Sequence, residues 1–315
     1  MNLPTRRANG LLCIPDPHVA ATPPMQRLES YMDDVLAKLA ACLDHAAEND
    51  LVPVILGDLF HWPRENPNTL IVALIDLLRP HHPFALVGNH DKYQARFTAD
   101  TSLAVLRAAG VVTVLDEAGL FLRLVTPTGM AVIGASPDGA LLPATVEKAE
   151  GEESVWLTHH GIGFPDAEDR HVRIHEIPGL DWVINGHLHR PHPTVAAGCT
   201  RWANPGNITR LKFTRKAMER VPAASVWRPG ADDLELWPVP YRPFAEVFPD
   251  QDFPPEEAAG EHESRFLEGL ARLAWRRTRE GAGLGEFLRT NLNPEHPETD
   301  IIWELYREVT HADEK

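Results

Sequence analysis

Five short motifs along the chain gather residue types that bind metal ions: Asp16-Pro17-His18, Gly57-Asp58, Gly88-Asn89-His90-Asp91, His159-His160 and Gly186-His187-Leu188-His189. Carboxylate oxygen, amide oxygen and imidazole nitrogen form a mixed donor set. Such a set suits manganese, iron or zinc better than a soft copper site or an all-oxygen calcium site. Asp16, His18, Asp58, Asn89, His159, His187 and His189 are too many ligands for one ion, but enough for two if a carboxylate bridges. Two ions roughly 3.5 to 4 Å apart can clamp the attacking and leaving oxygens of an in-line displacement at phosphorus, and can acidify a bridging water into a nucleophile. No serine or cysteine nucleophile is then required. Of the neighbouring pair, His159 comes first after its apolar run and is the expected ligand, with His160 behind it.

Rigid elements must hold these residues. Four of the motifs directly follow an apolar run, Leu11 to Ile14, Val52 to Leu56, Phe84 to Val87 and Val155 to Thr158, and the fifth is separated from Trp182-Val183-Ile184 by Asn185 alone. The runs read as buried strands. Between the first two, Leu28, Met32, Val35, Leu36, Leu39 and Leu43 repeat at helical spacing, and Leu70, Ile71, Leu74, Ile75 and Leu78 repeat likewise before the third. A further helix is expected near Ser102 to Ala109. Strand, helix, strand is the connection that parallel sheets require, and open α/β sheets bind ligands in the crevice at the carboxyl ends of their strands. Val111 to Leu115 and Ala131 to Gly134 are additional strand candidates. Ala224 to Trp227 and Leu234 to Val239 are expected to complete a second sheet. The fold expected is an α/β two-sheet sandwich flanked by helices, with a small C-terminal helical appendage.

The domain organisation follows from a change near Pro249. Residues 1–248 read as a catalytic domain. Residues 249–315 read as a linker, with Pro249, Pro254 and Pro255 among acids, followed by a helical segment. Its two apolar stripes are Phe266, Leu267, Leu270, Leu273 and Ala274, then Ile301, Ile302, Leu305, Tyr306 and Val309.

The chain carries 45 acidic and 30 basic residues, a formal charge of -15, which disfavours indiscriminate binding to polyanions. Between Arg201 and Arg228 the balance inverts locally: Arg201, Arg210, Lys212, Arg215, Lys216, Arg220 and Arg228 stand against Glu219 alone. Arg201, Arg210, Lys212 and Arg215 are therefore candidate contacts to a phosphate backbone. A solvated basic hairpin is the other reading. Cys13, Cys42 and Cys199 are odd in number and form no C-x-x-C pair, so a reducing, cytoplasmic setting is expected. The apolar stretch after Arg6-Arg7 is too short for a signal peptide, and no run approaches the roughly 20 residues of a membrane span.

The order and spacing of the motifs resemble the calcineurin-like metallophosphoesterase superfamily, with its D-x-H, G-D-x-x-D, G-N-H-D/E, H and G-H-x-H signature, over about Leu11 to Trp227. The resemblance implies that one metal takes Asp16, His18, Asp58 and His189, that the other takes Asp58, Asn89, His159 and His187, and that Asp58 bridges. It implies that His90 stabilises the transition state or protonates the leaving group, with Asp91 orienting it. The chain departs from the signature at His61, where the family usually has aspartate. Among branches it is most similar to the SbcD-type DNA repair nucleases, partners of SbcC-type ATPases. Gly57-Asp58-Leu59-Phe60 matches that branch, Asn204-Pro205-Gly206-Asn207 is similar to its P-G-S turn, and Val239 to Phe244 looks like the strand leaving its catalytic domain.

What this implies is a metal-dependent DNA nuclease with two divalent ions, manganese first and iron or zinc next. The expected partners are DNA, an SbcC-type ATPase docked on the terminal helices, and a second copy of the chain; a membrane is not among them. The alternatives are a small-molecule phosphodiesterase or phosphatase, since fold does not fix substrate, and a non-catalytic scaffold.

Overall fold

The computed structural model describes residues 3–167, 169–249 and 303. All but the last belong to Met1–Gln251, one of two units into which the chain divides. The linker and terminal helices expected over 249–315 lie outside the described residues, apart from Pro249 and Trp303.

From the N-terminus the chain forms β1 (Thr5–Arg7), β2 (Gly10–Ile14), α1 (Tyr31–Glu48), β3 (Leu51–Ile55), α2 (Asn68–Leu78), β4 (Phe84–Leu86), α3 (Ser102–Ala108) and β5 (Thr113–Leu115). It continues through β6 (Gly119–Val125), β7 (Met130–Ser136), β8 (Glu152–Thr158), β9 (Trp182–Asn185), β10 (His192–Ala197) and β11 (Thr200–Asn204). The last elements are α4 (Arg215–Glu219), β12 (Ala223–Trp227), β13 (Glu235–Pro238) and α5 (Phe244–Val247). Two sheets result, one of seven strands in the order β1-β6-β7-β8-β9-β11-β10 and one of six in the order β13-β12-β2-β3-β4-β5. This is the mixed α/β two-sheet fold expected of a metallophosphoesterase.

Alternation of side chains along a strand explains the layers. In β2, Leu11 and Cys13 point into the space between the sheets. There, with Val52, Val54, Leu56 and Leu86, they meet Leu122, Leu124, Ile133, Val155, Leu157 and Ile184 of the other sheet. Leu12 and Ile14 point the opposite way and pack beneath Val35, Leu39, Leu43, Leu70, Leu74 and Leu103 of the three long helices. Strands covered on both faces need apolar residues at every position, as their continuous runs show. The outer face of the seven-stranded sheet, with Val132, Trp156, Val183 and Trp202, is covered by Val146, Ile162, Phe164, Ile177 and Leu180 from connecting segments instead of long helices.

The two late strands expected to complete a second sheet, β12 and β13, join the sheet that begins with β2. β12 pairs antiparallel with β2, Ser225 opposite Cys13, and so covers the exposed edge of the first βαβ unit; β13 continues outward from it. An unpaired β2 edge would leave a row of N–H and C=O groups without partners. Strands without a continuous apolar run are less buried: β1 is exposed along its length, β6 buries only Leu122 and Leu124, and β10 is exposed or half-exposed throughout.

Packing on the outer face leaves one position no latitude. Gly134 lies opposite Trp156 in the β7–β8 pair. A methyl group at Gly134 would sit 2.2 Å from the indole, whose Nε1 donates to Ser136 Oγ at 2.9 Å and is thereby held in place. Gly134→Ala is expected to lower stability by about 1 to 3 kcal/mol through overpacking, read as a lower urea midpoint at unchanged slope.

Candidate metal centre

Asp16 and His18 follow β2, Asp58 follows β3, Asn89 and His90 follow β4, His159 follows β8, and His187 and His189 follow β9. All stand at carboxyl ends of parallel strands. Four of them have left-handed backbone: Asp16 (φ 45°), His18 (φ 51°), Asp58 (φ 48°) and His187 (φ 70°). That conformation costs roughly 1 to 2 kcal/mol per non-glycine residue and persists only where surroundings over-determine it.

The surroundings here do so. His18 N–H donates to Asp58 C=O at 2.9 Å, Val19 N–H to Leu59 C=O at 2.7 Å, and Tyr31 Oη to His18 C=O at 2.7 Å. Thr209 Oγ1 donates to Pro17 C=O at 3.1 Å. Buried amides tie the other loops together. Asn185 Oδ1 accepts from Thr158 Oγ1 (2.7 Å) and His160 N–H (3.0 Å), while its Nδ2 donates to Asn204 Oδ1 (3.0 Å). Asn204 in turn donates to the carbonyls of Leu188 and Arg190. Glycine leaves room where the loops touch, since a Cβ at Gly57 would lie 2.2 Å from His159 Nδ1 and one at Gly88 2.1 Å from Asp58 Oδ1.

Two donor groups converge. Asp16, His18, Asp58 and His189 each offer an atom within 4.8 Å of the others, and so do Asp58, His159 and His187; Asp58 belongs to both. His18 Nε2 and His189 Nε2 face one another at 2.9 Å. Asn89 Oδ1 lies 3.1 Å from His159 Nε2 and 2.9 Å from His187 Nδ1, adding an oxygen to the second group. The nitrogens on the far sides of the rings have their own partners. His159 Nδ1 donates to Leu56 C=O at 2.7 Å, so Nε2 is the nitrogen that faces the centre. His90 Nδ1 donates to His61 C=O at 2.9 Å, and His90 N–H donates to Asp58 Oδ1 at 2.7 Å.

Electrostatics fit the residues to cations. Burial, with Asp58 adding, pushes the Asp16 carboxyl up to about 8 against the pull of His159. Burial pulls His159 down, but Asp58 at 3.4 Å and then Asp16 outweigh it and leave the ring at about 10. Burial would raise Asp58, yet His159 and His90 hold it well below the usual carboxylate range. Burial keeps His18 and His189 well below the ordinary histidine value, and therefore neutral. Clustered carboxylates beside neutral imidazoles whose Nε2 atoms face each other form a donor set that divalent ions complete.

Several expectations take a different form. The Asp91 oxygens accept from Phe60 N–H (3.1 Å) and Gly88 N–H (3.0 Å), bracing two loops of the site, and the carbonyl of His61 holds His90 Nδ1. Burial with Asp58 nearby lifts Asp91 to about 7. His61 itself lies inside the site, with its Nδ1 3.4 Å from His18 Nδ1 and its ring stacked on His90 at 5.3 Å. Burial, then His90, lowers it to about 3 and keeps it neutral. The departure from the G-D-x-x-D pattern marked this position without revealing those contacts. Asp169, which no motif marked, accepts from His187 Nε2 at 3.0 Å. His160 donates from Nε2 to Ala140 C=O at 2.8 Å and belongs to neither donor group.

The basic stretch divides. Arg210 is buried and donates from Nε and Nη2 to the carbonyls of Met218 and Arg220, which commits much of its guanidinium to the fold. Arg220 caps Asn207 and Thr209 in the same way. Arg201 lies over the Trp182 ring at 5.3 Å and pairs with Asp232 at 3.7 Å. Lys212 is close enough to depress His189 electrostatically, and Arg215 opens α4 behind the N-cap Thr214.

A two-sheet α/β sandwich that carries two Asp/His donor groups sharing one carboxylate defines a metal-dependent hydrolase with a binuclear centre. The sequence profile of the calcineurin-like phosphoesterase family matches residues 11–191, and the chain belongs to that family. No curated protein matches the chain significantly. Among solved structures, a 5'-nucleotidase precursor from Thermus thermophilus is 14% identical over 70% of this chain and 50% of its own, with a TM-score of 0.38. The sulfate thiohydrolase SoxB of Thermus thermophilus is 14% identical over 76% of this chain and 58% of its own, with a TM-score of 0.40. This chain thus spans between half and three-fifths of those proteins, and neither is an SbcD-type nuclease. Among the described residues, no helix is long and apolar enough to cross a membrane.

The protonation states have a measurable consequence. At pH 7 the metal-free centre holds protons on His159, below its value of about 10, and on Asp16, below about 8. Metal ligands must be deprotonated. Loading with Mn²⁺ or Zn²⁺ at pH 7 is therefore expected to release protons, and affinity should rise with pH between 6 and 8. Calorimetry in two buffers of different ionisation enthalpy measures this; no release, or net uptake, would contradict the electrostatics described.

Proposed function

We propose that the chain is a two-metal phosphodiesterase that acts as a DNA nuclease of the SbcD type. The observation that carries the reading is the membership of Asp58 in both donor groups. Asp16, His18, Asp58 and His189 would hold one divalent ion and Asp58, Asn89, His159 and His187 the other, manganese being the first choice. Ions held there supply Lewis acidity at phosphorus and lower the pKa of water into the neutral range.

The chain's own residues do the rest. His90, with Nδ1–H committed to His61 C=O, keeps Nε2 for the departing oxygen, as an oriented general acid requires. Stacked on it, His61 limits its rotation. Lys212, near His189, and Arg215 at the start of α4 would meet the phosphate backbone of DNA. In this reading residues 1–248 are the catalytic unit, and 249–315 carry contacts to an SbcC-type ATPase or a second copy, in the cytoplasm. The withdrawal of Arg210 and Arg220 into the interior supports the alternative, a small-molecule phosphodiesterase or phosphatase, because it shrinks the basic surface.

With Mn²⁺, the protein is expected to cut single-stranded or end-containing DNA, and Asp58→Ala to reduce the rate by more than the roughly 10- to 100-fold typical of losing an outer partner of a metal ligand. The double variant Lys212→Glu, Arg215→Glu should cut DNA poorly while hydrolysing bis(p-nitrophenyl) phosphate at the original rate. Hydrolysis of that ester with no cleavage of any DNA would leave the small-molecule reading in its place.

A further inference from the structure

We propose that Asp169 is a positioning residue for His187, holding the ring in the tautomer that presents Nδ1 to the second donor group, and that Gly161 provides the space in which it does so. The inference rests on the two-metal reading for its consequence, but its geometry is independent of it. His187 is shared between two partners: Nδ1 faces Asn89 Oδ1 at 2.9 Å, and Nε2 faces Asp169 Oδ2 at 3.0 Å. An ionised carboxylate only accepts, so Nε2 carries the proton and Nδ1 keeps its lone pair. An outer carboxylate that fixes a ligand histidine in this way also raises its basicity.

The chain builds a support for this contact. Beyond β8, Ile162 bridges Val172; Gly163 N–H donates to Val172 C=O, and Val172 N–H to Gly161 C=O, both at 2.8 Å. Phe164, fully buried, stacks on His192 at 5.2 Å. The segment leaves the sheet and returns at a fixed place, with Asp169 set over His187. Gly161 lies directly beneath: a Cβ there would be 2.3 Å from Asp169 Cγ. Its backbone is not left-handed, so alanine fits the chain at that position and conflicts with the carboxylate instead. His159 differs, because its outer nitrogen is held by the carbonyl of Leu56. The orientation of His187 can thus be tuned by a side chain outside the ligand motifs.

Three variants test this in the full chain. Asp169→Ala removes the acceptor, Asp169→Asn keeps its shape without the charge, and Gly161→Ala leaves every ligand and charge in place while displacing the carboxylate. The first readout is the tautomer of His187 in metal-free protein, by long-range ¹H–¹⁵N correlation, assigned against His187→Gln. The native protein is expected to show Nε2–H, and Asp169→Ala and Gly161→Ala a mixture. The second readout is Mn²⁺ affinity by calorimetry. One of two ions should bind about 10- to 100-fold more weakly in Asp169→Ala and Gly161→Ala, the other unchanged, with Asp169→Asn in between. An unchanged tautomer in both variants, or equal weakening of both ions, would overturn the proposal. If the native protein binds no metal while the tautomer shifts as expected, it is the two-metal reading that fails, and the role of Asp169 in orienting His187 stands.

Discussion

An imidazole can turn one nitrogen toward a shared centre only if something else holds the other, and this constraint organises the mouth of the sandwich. His159 gives its outer proton to the carbonyl of Leu56, His187 to Asp169, and His90 to the carbonyl of His61. His18 meets His61 on its far side. Each partner comes from a different loop from the ring it holds, so the loops cannot be placed independently. Moving β3 by one residue would remove Asp58 from both donor groups and Leu56 from His159 together. The strained backbones at Asp16, His18, Asp58 and His187 persist because of these cross-connections.

Around this centre the chain uses two kinds of brace. The first is neutral: the Thr158, Asn185 and Asn204 side chains form a fully buried hydrogen-bonded line that fixes the loops carrying His159 and His187. Buried amides are tolerated because their donors and acceptors are used. The second is cationic. Arg27, Lys38, Arg210 and Arg220 are directed at backbone carbonyls between Asn207 and Arg220, the segment whose Ile208 and Thr209 hold the Asp16 loop. Burial lowers Lys38 to about 7 and Arg220 to about 10, a measure of how far these cations are removed from water.

The division of the basic stretch matters for function because charge in a sequence has no direction. Arg210 and Arg220 donate to carbonyls of the fold, while Lys212 is half-buried near His189 and Arg215 is exposed. The donor groups rest on many mutually dependent contacts, and a core of this kind can serve several phosphate esters.

The sequence by itself pointed to the seven residues that the structure gathers at one site, the strands that end at them and the helices between, because these are short-range features: apolar runs, helical periodicity and turn residues sit next to the residues they position. Tertiary structure decided the rest. It showed that β12 covers the β2 edge, since strand pairing across more than 200 residues has no local signal. It brought the carbonyl of His61 onto His90 Nδ1, a contact the sequence could not show because a backbone oxygen carries no residue identity to recognise. It introduced Asp169, 18 residues before its partner His187, on a segment whose position depends on packing against the outer face of the sheet. Residue type and spacing specify which atoms can bind a metal; which way each ring faces is settled only when the loops of both sheets are packed together.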